Sequence, residues 1–203
     1  PFPDEGNITV AEYLRSKGYK TALFGKTHFN NSFWSSLYKN GLPNHGFDIM
    51  MENDEYQKFL KRNPCPAIPS IIETYDLEKA NIPEWMNCRN LPQPVYDAQS
   101  QGTFYANQEV VFITENREKP FFIWTAFFQP HHPYYFPVEY AGKYNPDEMP
   151  LPTGSPEDDR WIPEKFRNLT DTQRRGIIAA YYTSTEYMDK NVGLILDAIK
   201  KNG

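Results

Sequence analysis

The sequence predicts an α/β fold: a mostly parallel β-sheet flanked by helices, with long loops at one edge. Three observations carry that prediction. Two short apolar runs, Thr21–Phe24 and Phe121–Phe127, each follow a segment with helical patterning. Each run gives way to a polar, histidine-bearing stretch, Lys26-Thr27-His28 and Pro130-His131-His132-Pro133. The rest of the chain is rich in Pro and aromatics, 16% of its 203 residues being aromatic, which suits ordered loops and not a disordered tail.

The first helix is expected over 10–17. Thr9-Val-Ala-Glu12 has the form of a capping box, in which a hydroxyl and a Glu three residues on satisfy each other's backbone N–H. Val10, Ala11 and Leu14 give an apolar face, and Gly18 stands where a helix stop belongs. Thr21–Phe24 reads as a buried strand ending at Gly25. In open α/β sheets ligands bind beyond the carboxyl ends of the strands, which is where Lys26 and His28 fall.

Residues 30–95 read as a long ordered excursion with a weak helical stretch near Tyr56–Leu60. A helix follows over 100–116 with Phe104, Val111 and Phe112 turned inward, and Pro120 ends it. The length and aromatic content of Phe121–Phe127 favour a strand buried on both faces. A second Pro-rich loop spans 134–163. The closing helix covers 171–202, where Met188, Val192, Ile195 and Ile199 recur at helical spacing. The whole reads as a single, partial domain over 1–203. It starts at Pro1 and stops at Gly203 as though both ends were internal to a longer protein.

Composition narrows the partners. A net charge of -5 offers no basic surface for nucleic acid. No apolar run approaches the roughly 18 residues of a membrane span. Two cysteines, Cys65 and Cys88, are too few for a disulfide framework or a zinc cage. They read as buried or half-buried thiols, with pairing between them left open. Glu52-Asn-Asp-Glu55 and Glu157-Asp-Asp159 lack the pattern of a calcium loop and read as solvated. The sequons at Asn7, Asn30 and Asn168 discriminate nothing.

The chemistry concentrates in Lys26, His28 and His131. In an extended segment residues two apart point the same way, so an ammonium and an imidazole stand side by side as donors for a tetrahedral anion. Taken alone, the pair fits a solvated loop Lys and a turn His better than a site. His131 and His132 are held between prolines and point apart, so one is expected to face a pocket and the other to pack.

Taken in order, these stretches resemble the sulfatase family of the alkaline-phosphatase-like superfamily. Thr9–His28 is similar to the family's second signature, a helix, Gly-Tyr-x-Thr, a strand, then Gly-Lys-x-His, with Thr27 where Trp is usual. Leu42–Asp48 resembles its Gly-Phe-Asp turn. Lys119–Trp124, Pro130–Pro133 and Glu139–Tyr144 resemble the strand and loop carrying a second sulfate-binding His, and Tyr181–Gly203 the helix that follows.

The resemblance implies hydrolysis of sulfate monoesters of a small molecule or glycan by a formylglycine nucleophile with Ca2+. It implies that Lys26 contacts the sulfate, that His28 serves the formylglycine hydrate, and that His131 contacts sulfate and protonates the leaving alcohol. His132 falls at a variable position and takes no role. The Cys-x-Pro-x-Arg motif that yields formylglycine is absent from this sequence. Cys65-Pro-Ala-Ile-Pro-Ser70 has the wrong spacing and no Arg. By the resemblance the nucleophile and the paired metal aspartates precede Pro1 and further metal ligands follow Gly203, so no metal ligand is assigned here. The 203 residues alone are then expected to be inactive and poorly soluble. A phosphoesterase or phosphonate hydrolase of the same superfamily, and a non-catalytic binding module derived from a sulfatase, stand as alternatives. Family habit implies a periplasmic, secreted or lysosomal location.

Overall fold

The structure is a computed structural model that describes residues 7–28, 44–76, 78 and 81–202. Pro1, Gly203, the Asn30 sequon and the excursion up to residue 43 lie outside the described residues. In chain order the main elements are α1 (Val10–Ser16), β1 (Lys20–Gly25), β2 (Ile49–Met51), α2 (Asn53–Arg62), α3 (Ile82–Trp85), α4 (Gln101–Asn116), β3 (Phe121–Ala126), α5 (Glu164–Arg167) and α6 (Asp171–Asn202). They fall into two compact units. One comprises Pro1–Asn63, Gln101–Phe128 and Asn191–Gly203; the other comprises Pro64–Ser100 and Gln129–Lys190.

The first unit holds the sheet. Its order is β2-β1-β3 and both pairings are parallel. Alternation along β1 sends Ala22 and Phe24 to one face, where they meet Tyr56 of α2 and Phe104, Tyr105 and Phe112 of α4. Leu23 goes to the other face, against Ala11 of α1 and Phe47. A strand covered on both sides needs apolar residues at every position, and Thr21–Gly25 are all buried. The capping box at Thr9 is present as the spacing predicts: Glu12 N donates to Thr9 Oγ1 at 3.1 Å, and Thr9 N to Glu12 Oε2 at 2.8 Å.

The Gly-Phe-Asp turn locks α1 to β1. Gly46 has φ 90, and a Cβ there would overlap the backbone nitrogen of Glu12. Thr21 Oγ1 donates to Gly46 O at 2.8 Å and Thr21 N to Asp48 Oδ2 at 3.1 Å. Phe47 is thereby fixed in the α1-side core, stacked on Phe122 with ring centroids 6.2 Å apart.

Three expectations need correction in this unit. β3 is not buried on both faces: its residues are half-buried and Trp124 is 41% exposed. Among the described residues β3 pairs on one side only, with β1, which leaves its other edge without a neighbouring strand. Val111 does not face inward but is 49% exposed; Glu109 takes the buried place, 0% exposed. At about 100° per residue Val111 lies some 200° round the helix from Glu109. Ile199, expected on the buried stripe of α6, is 41% exposed, whereas Ile195 and Ala198 are buried against Ala106 and Ile113. The final turn buries a 3-spaced pair, and that rolls Ile199 outward.

The second unit is built mainly from loops, and its backbone polar groups find partners in one another. Tyr75 N donates to Pro92 O at 2.7 Å, Gln93 N to Phe136 O at 2.9 Å and Val138 N to Val95 O at 3.0 Å. The first folds 64–100 on itself, and the other two join it to the Pro-rich loop that follows His132. Asn87, with φ 52 and 1% exposed, supports the turn after α3 by accepting from Leu91 N at 2.8 Å and donating to Leu91 O at 3.0 Å. The α6 segment of this unit presents Gly176, Ala179, Ala180, Thr183, Ser184 and Tyr187 as its buried face. Small residues let loop backbone approach the helix, and a Cβ at Gly176 would overlap the carbonyl of Cys88. Cys65 and Cys88 are both free thiols, and burial pushes Cys88 up to about 11, so it stays a neutral packing group.

Candidate functional site

β1 and β3 approach closely where they end. Gly25 has φ 112, and any side chain there would strike the carbonyl of Ala126. With Gly present the next residue closes on the same carbonyl: Lys26 N donates to Ala126 O at 2.7 Å. The Lys26 side chain is exposed, with Nζ 4.4 Å from the centroid of the Phe128 ring. Thr27 turns the other way and donates its hydroxyl hydrogen to Glu52 Oε1. Glu52 is the N-cap of α2, held in turn by Glu55 Oε2, which accepts from Glu52 N at 3.2 Å. The acidic stretch expected to be merely solvated therefore anchors the residue between the two candidate donors. His28 is exposed, as is Lys26, while Thr27 between them is half-buried.

His131 belongs to the second unit, four residues beyond the Phe127 at which the strand was expected to end. Its Nδ1 lies 2.6 Å from the carbonyl oxygen of His132, and because a carbonyl only accepts, Nδ1 carries the proton. To donate from Nε2 as well, the ring must carry both protons. Tyr134 N donates to His131 O at 2.9 Å, closing the turn. The His132 ring packs edge-on to Trp85 of α3, with centroids 4.0 Å apart, and Trp85 stacks on Phe166 at 6.2 Å. The two imidazoles do not point apart as expected: their centroids are 4.1 Å from each other, because the turn at His131 is not an extended segment. The structure thus puts Lys26 and His28 together on the loop leaving β1, and His131 on a separately braced turn of the other unit.

Two residues near the site gave no signal in the sequence. Phe128 is one aromatic among many. Glu109 sits in a helix whose sequence does not mark it as inward-facing. Its carboxyl is fully buried, accepts a hydrogen bond from Thr125 Oγ1 at 2.8 Å, and has its second oxygen without a hydrogen-bond partner. Burial pushes it up to about 7, offset in part by the Thr125 bond. Only the packing of α4 on β3 reveals such a residue.

The family model described as Sulfatase matches residues 3–203. This chain belongs to the sulfatase family. An arylsulfatase of Hemicentrotus pulcherrimus is 27% identical over 128 residues, covering 63% of this chain and 22% of that protein. A choline-sulfatase of Rhizobium meliloti (strain 1021) is 26% identical over 216 aligned residues, covering 95% of this chain and 39% of the relative. Among solved structures, the phosphonate monoester hydrolase SpPMH from Silicibacter pomeroyi superposes with a TM-score of 0.70 at 21% identity, over 98% of this chain and 45% of that one. The phosphonate monoester hydrolase of Agrobacterium radiobacter gives a TM-score of 0.72 at 18% identity, with the same coverage. At such identities the superpositions establish the shared fold. The sulfatase chain described here spans less than half the length of each of these relatives.

The described side chains do not by themselves make a metal site. Among the described residues, no three His, Cys, Asp or Glu side chains gather as metal ligands would. Nor is any helix among the described residues long and apolar enough to cross a membrane.

Proposed function

We propose that this sulfatase chain supplies the anion-binding side of a sulfuric ester hydrolase, with Lys26, His28 and His131 as the residues that meet the sulfate ester. The observation that carries the reading is the Gly25-Lys26-Thr27-His28 loop. A close strand crossing at Gly25 pins its start and the Thr27–Glu52 bond pins its middle, so Lys26 and His28 both leave its exposed side at the carboxyl end of a parallel sheet.

A sulfate monoester carries one negative charge, and charge grows on the leaving oxygen as the S–O bond breaks. Lys26 provides a fixed positive charge with three N–H donors for the sulfate oxygens. His28 provides a directional donor or acceptor beside it. His131, with Nδ1 committed to a backbone carbonyl, protonates the departing alkoxide or phenoxide from Nε2 as the doubly protonated ring and is left neutral. The attacking nucleophile and Ca2+ are expected from the family and not assigned to residues of this chain. A sulfated small molecule or glycan is the proposed substrate class. The relatives' names, an arylsulfatase and a choline-sulfatase, support the sulfate ester and leave the alcohol open. A periplasmic, secreted or lysosomal location is proposed on family likeness, and cell fractionation checks it.

The test is a substrate panel on the whole protein: an aryl sulfate against a phenylphosphonate monoester and an aryl phosphate. The reading expects kcat/KM for the sulfate to exceed the others by at least about tenfold. Faster turnover of the phosphonate ester replaces it with phosphonate hydrolysis, and no turnover of any of them replaces it with a binding role.

A further inference from the structure

We propose that Phe128 is a positioning residue for Lys26: its ring face holds the ammonium at the sheet edge while leaving the charge and the N–H donors for an oxyanion. The proposal rests on the reading of Lys26 as an anion-binding group. Phe128 stands two residues beyond the end of β3, and Lys26 directly follows β1, so the two residues leave neighbouring parallel strands at the same edge. The Lys26 backbone is fixed there by its bond to Ala126 O at 2.7 Å, and Nζ lies 4.4 Å from the Phe128 centroid. Among the described residues no carboxylate lies within ion-pair distance of Lys26.

That choice of partner has consequences. An exposed lysine is a flexible four-carbon stem, and an anion that captures it must first order it. A carboxylate would order the tip but would neutralise it and occupy its donors. An aromatic face attracts a cation through its quadrupole within about 6 Å, with no proton acceptor in a fixed direction and no net charge. Phe128 therefore restricts the ammonium to the edge without competing for the ligand.

The contact is read directly by NMR on the whole protein with its lysines reductively methylated with 13C-formaldehyde. The Lys26 methyl signal is identified by its loss in Lys26→Arg. Lying over a ring face at 4.4 Å, closer than Lys17, Lys143 and Lys165 lie to theirs, it is expected upfield of lysines that meet no ring, to join them in Phe128→Leu, and to move on titration with inorganic sulfate. A second arm replaces Phe128 with mono-, di- and trifluorophenylalanine. These keep the shape of the ring and progressively cancel its quadrupole, so inhibition by inorganic sulfate should weaken stepwise to roughly 3- to 10-fold, the scale of such contacts. A purely structural role for Phe128 predicts a flat series, because the fluorinated rings pack alike. A Lys26 signal already among the bulk lysines, or a flat fluorine series, overturns the proposal. Absence of sulfate-ester turnover together with an upfield, sulfate-sensitive Lys26 signal sustains the positioning role and overturns only the hydrolase reading.

Discussion

Thr125 donates its hydroxyl hydrogen to Glu109 at 2.8 Å, and the carboxyl it holds is completely buried between α4 and β3. Burial holds that carboxyl at about 7, above the ordinary 4.5. The raised value means that the folded chain binds this proton more tightly than the unfolded chain does. Between these two values the folded state carries more protons, so stability falls as pH rises through the window and levels off above about 7. At about 1.4 kcal/mol per unit the loss is on the order of 3 kcal/mol. Glu109→Gln keeps the shape, accepts from Thr125, and never ionises. Urea unfolding of the whole protein at about pH 5 and pH 8 should show that slope, and Glu109→Gln should flatten it. An equal slope in the variant would place the titration elsewhere.

The three candidate donors should dominate turnover. Lys26→Ala, His28→Ala and His131→Ala are each expected to lower kcat/KM for an aryl sulfate by about a hundredfold or more, the scale for a lost acid–base or oxyanion group. His132→Phe should cost far less, because the His132 ring serves to pack against Trp85 at 4.0 Å and Phe preserves that contact. Comparable losses at His131 and His132 would show that the wrong histidine has been given the chemistry.

Thr27→Val removes the hydroxyl that anchors the Lys26–His28 loop to Glu52. A hydrogen bond to a carboxylate contributes roughly 1.5–3 kcal/mol, and here it constrains the two flanking donors. Turnover should fall about tenfold or more in Thr27→Val and recover in Thr27→Ser. Kinetics of the two variants side by side make the comparison. If the serine variant is no better than the valine variant, the bond is not what orders the loop.

Gly46 and Gly18 make a matched pair for stability. Both have positive φ, 90 and 88, but a Cβ at Gly46 would overlap the Glu12 backbone whereas at Gly18 it would meet nothing within 4 Å. Gly18→Ala should cost about 1–2 kcal/mol, the strain of a left-handed L-residue. Gly46→Ala should cost several kcal/mol more, because α1 must also move away from the turn. Denaturant midpoints of the two variants measure the difference.

Local patterns carried much of this architecture. The capping box at Thr9 and Glu12, the apolar run at Thr21–Phe24 and the helical spacing of 171–202 depend on neighbours in sequence, and the elements they predict are present. The Gly-Lys-x-His loop was legible for the same reason: strand, stop and donors are consecutive. Burial on a particular face was less legible. On α4 Val111, expected inward, is exposed while Glu109 is buried, and Trp124 of β3 keeps an exposed face. Propensity does not record how far a neighbouring strand extends or which arc of a helix meets it.

What the sequence determined by itself was the α/β order, the strand end that carries Lys26 and His28, the Pro-flanked stretch that carries His131, and the likeness to sulfatases, because each is written in short contiguous motifs. Tertiary structure alone decided which groups brace those motifs. Glu52 beneath Thr27, Phe128 beneath Lys26, Trp85 beside His132 and Glu109 beneath Thr125 are all brought in by chain folding. In sequence these are ordinary residues tens of positions from their partners or, in Glu109, a helix position of unremarkable pattern. Their effect comes from distance and burial, which the chain acquires only on folding.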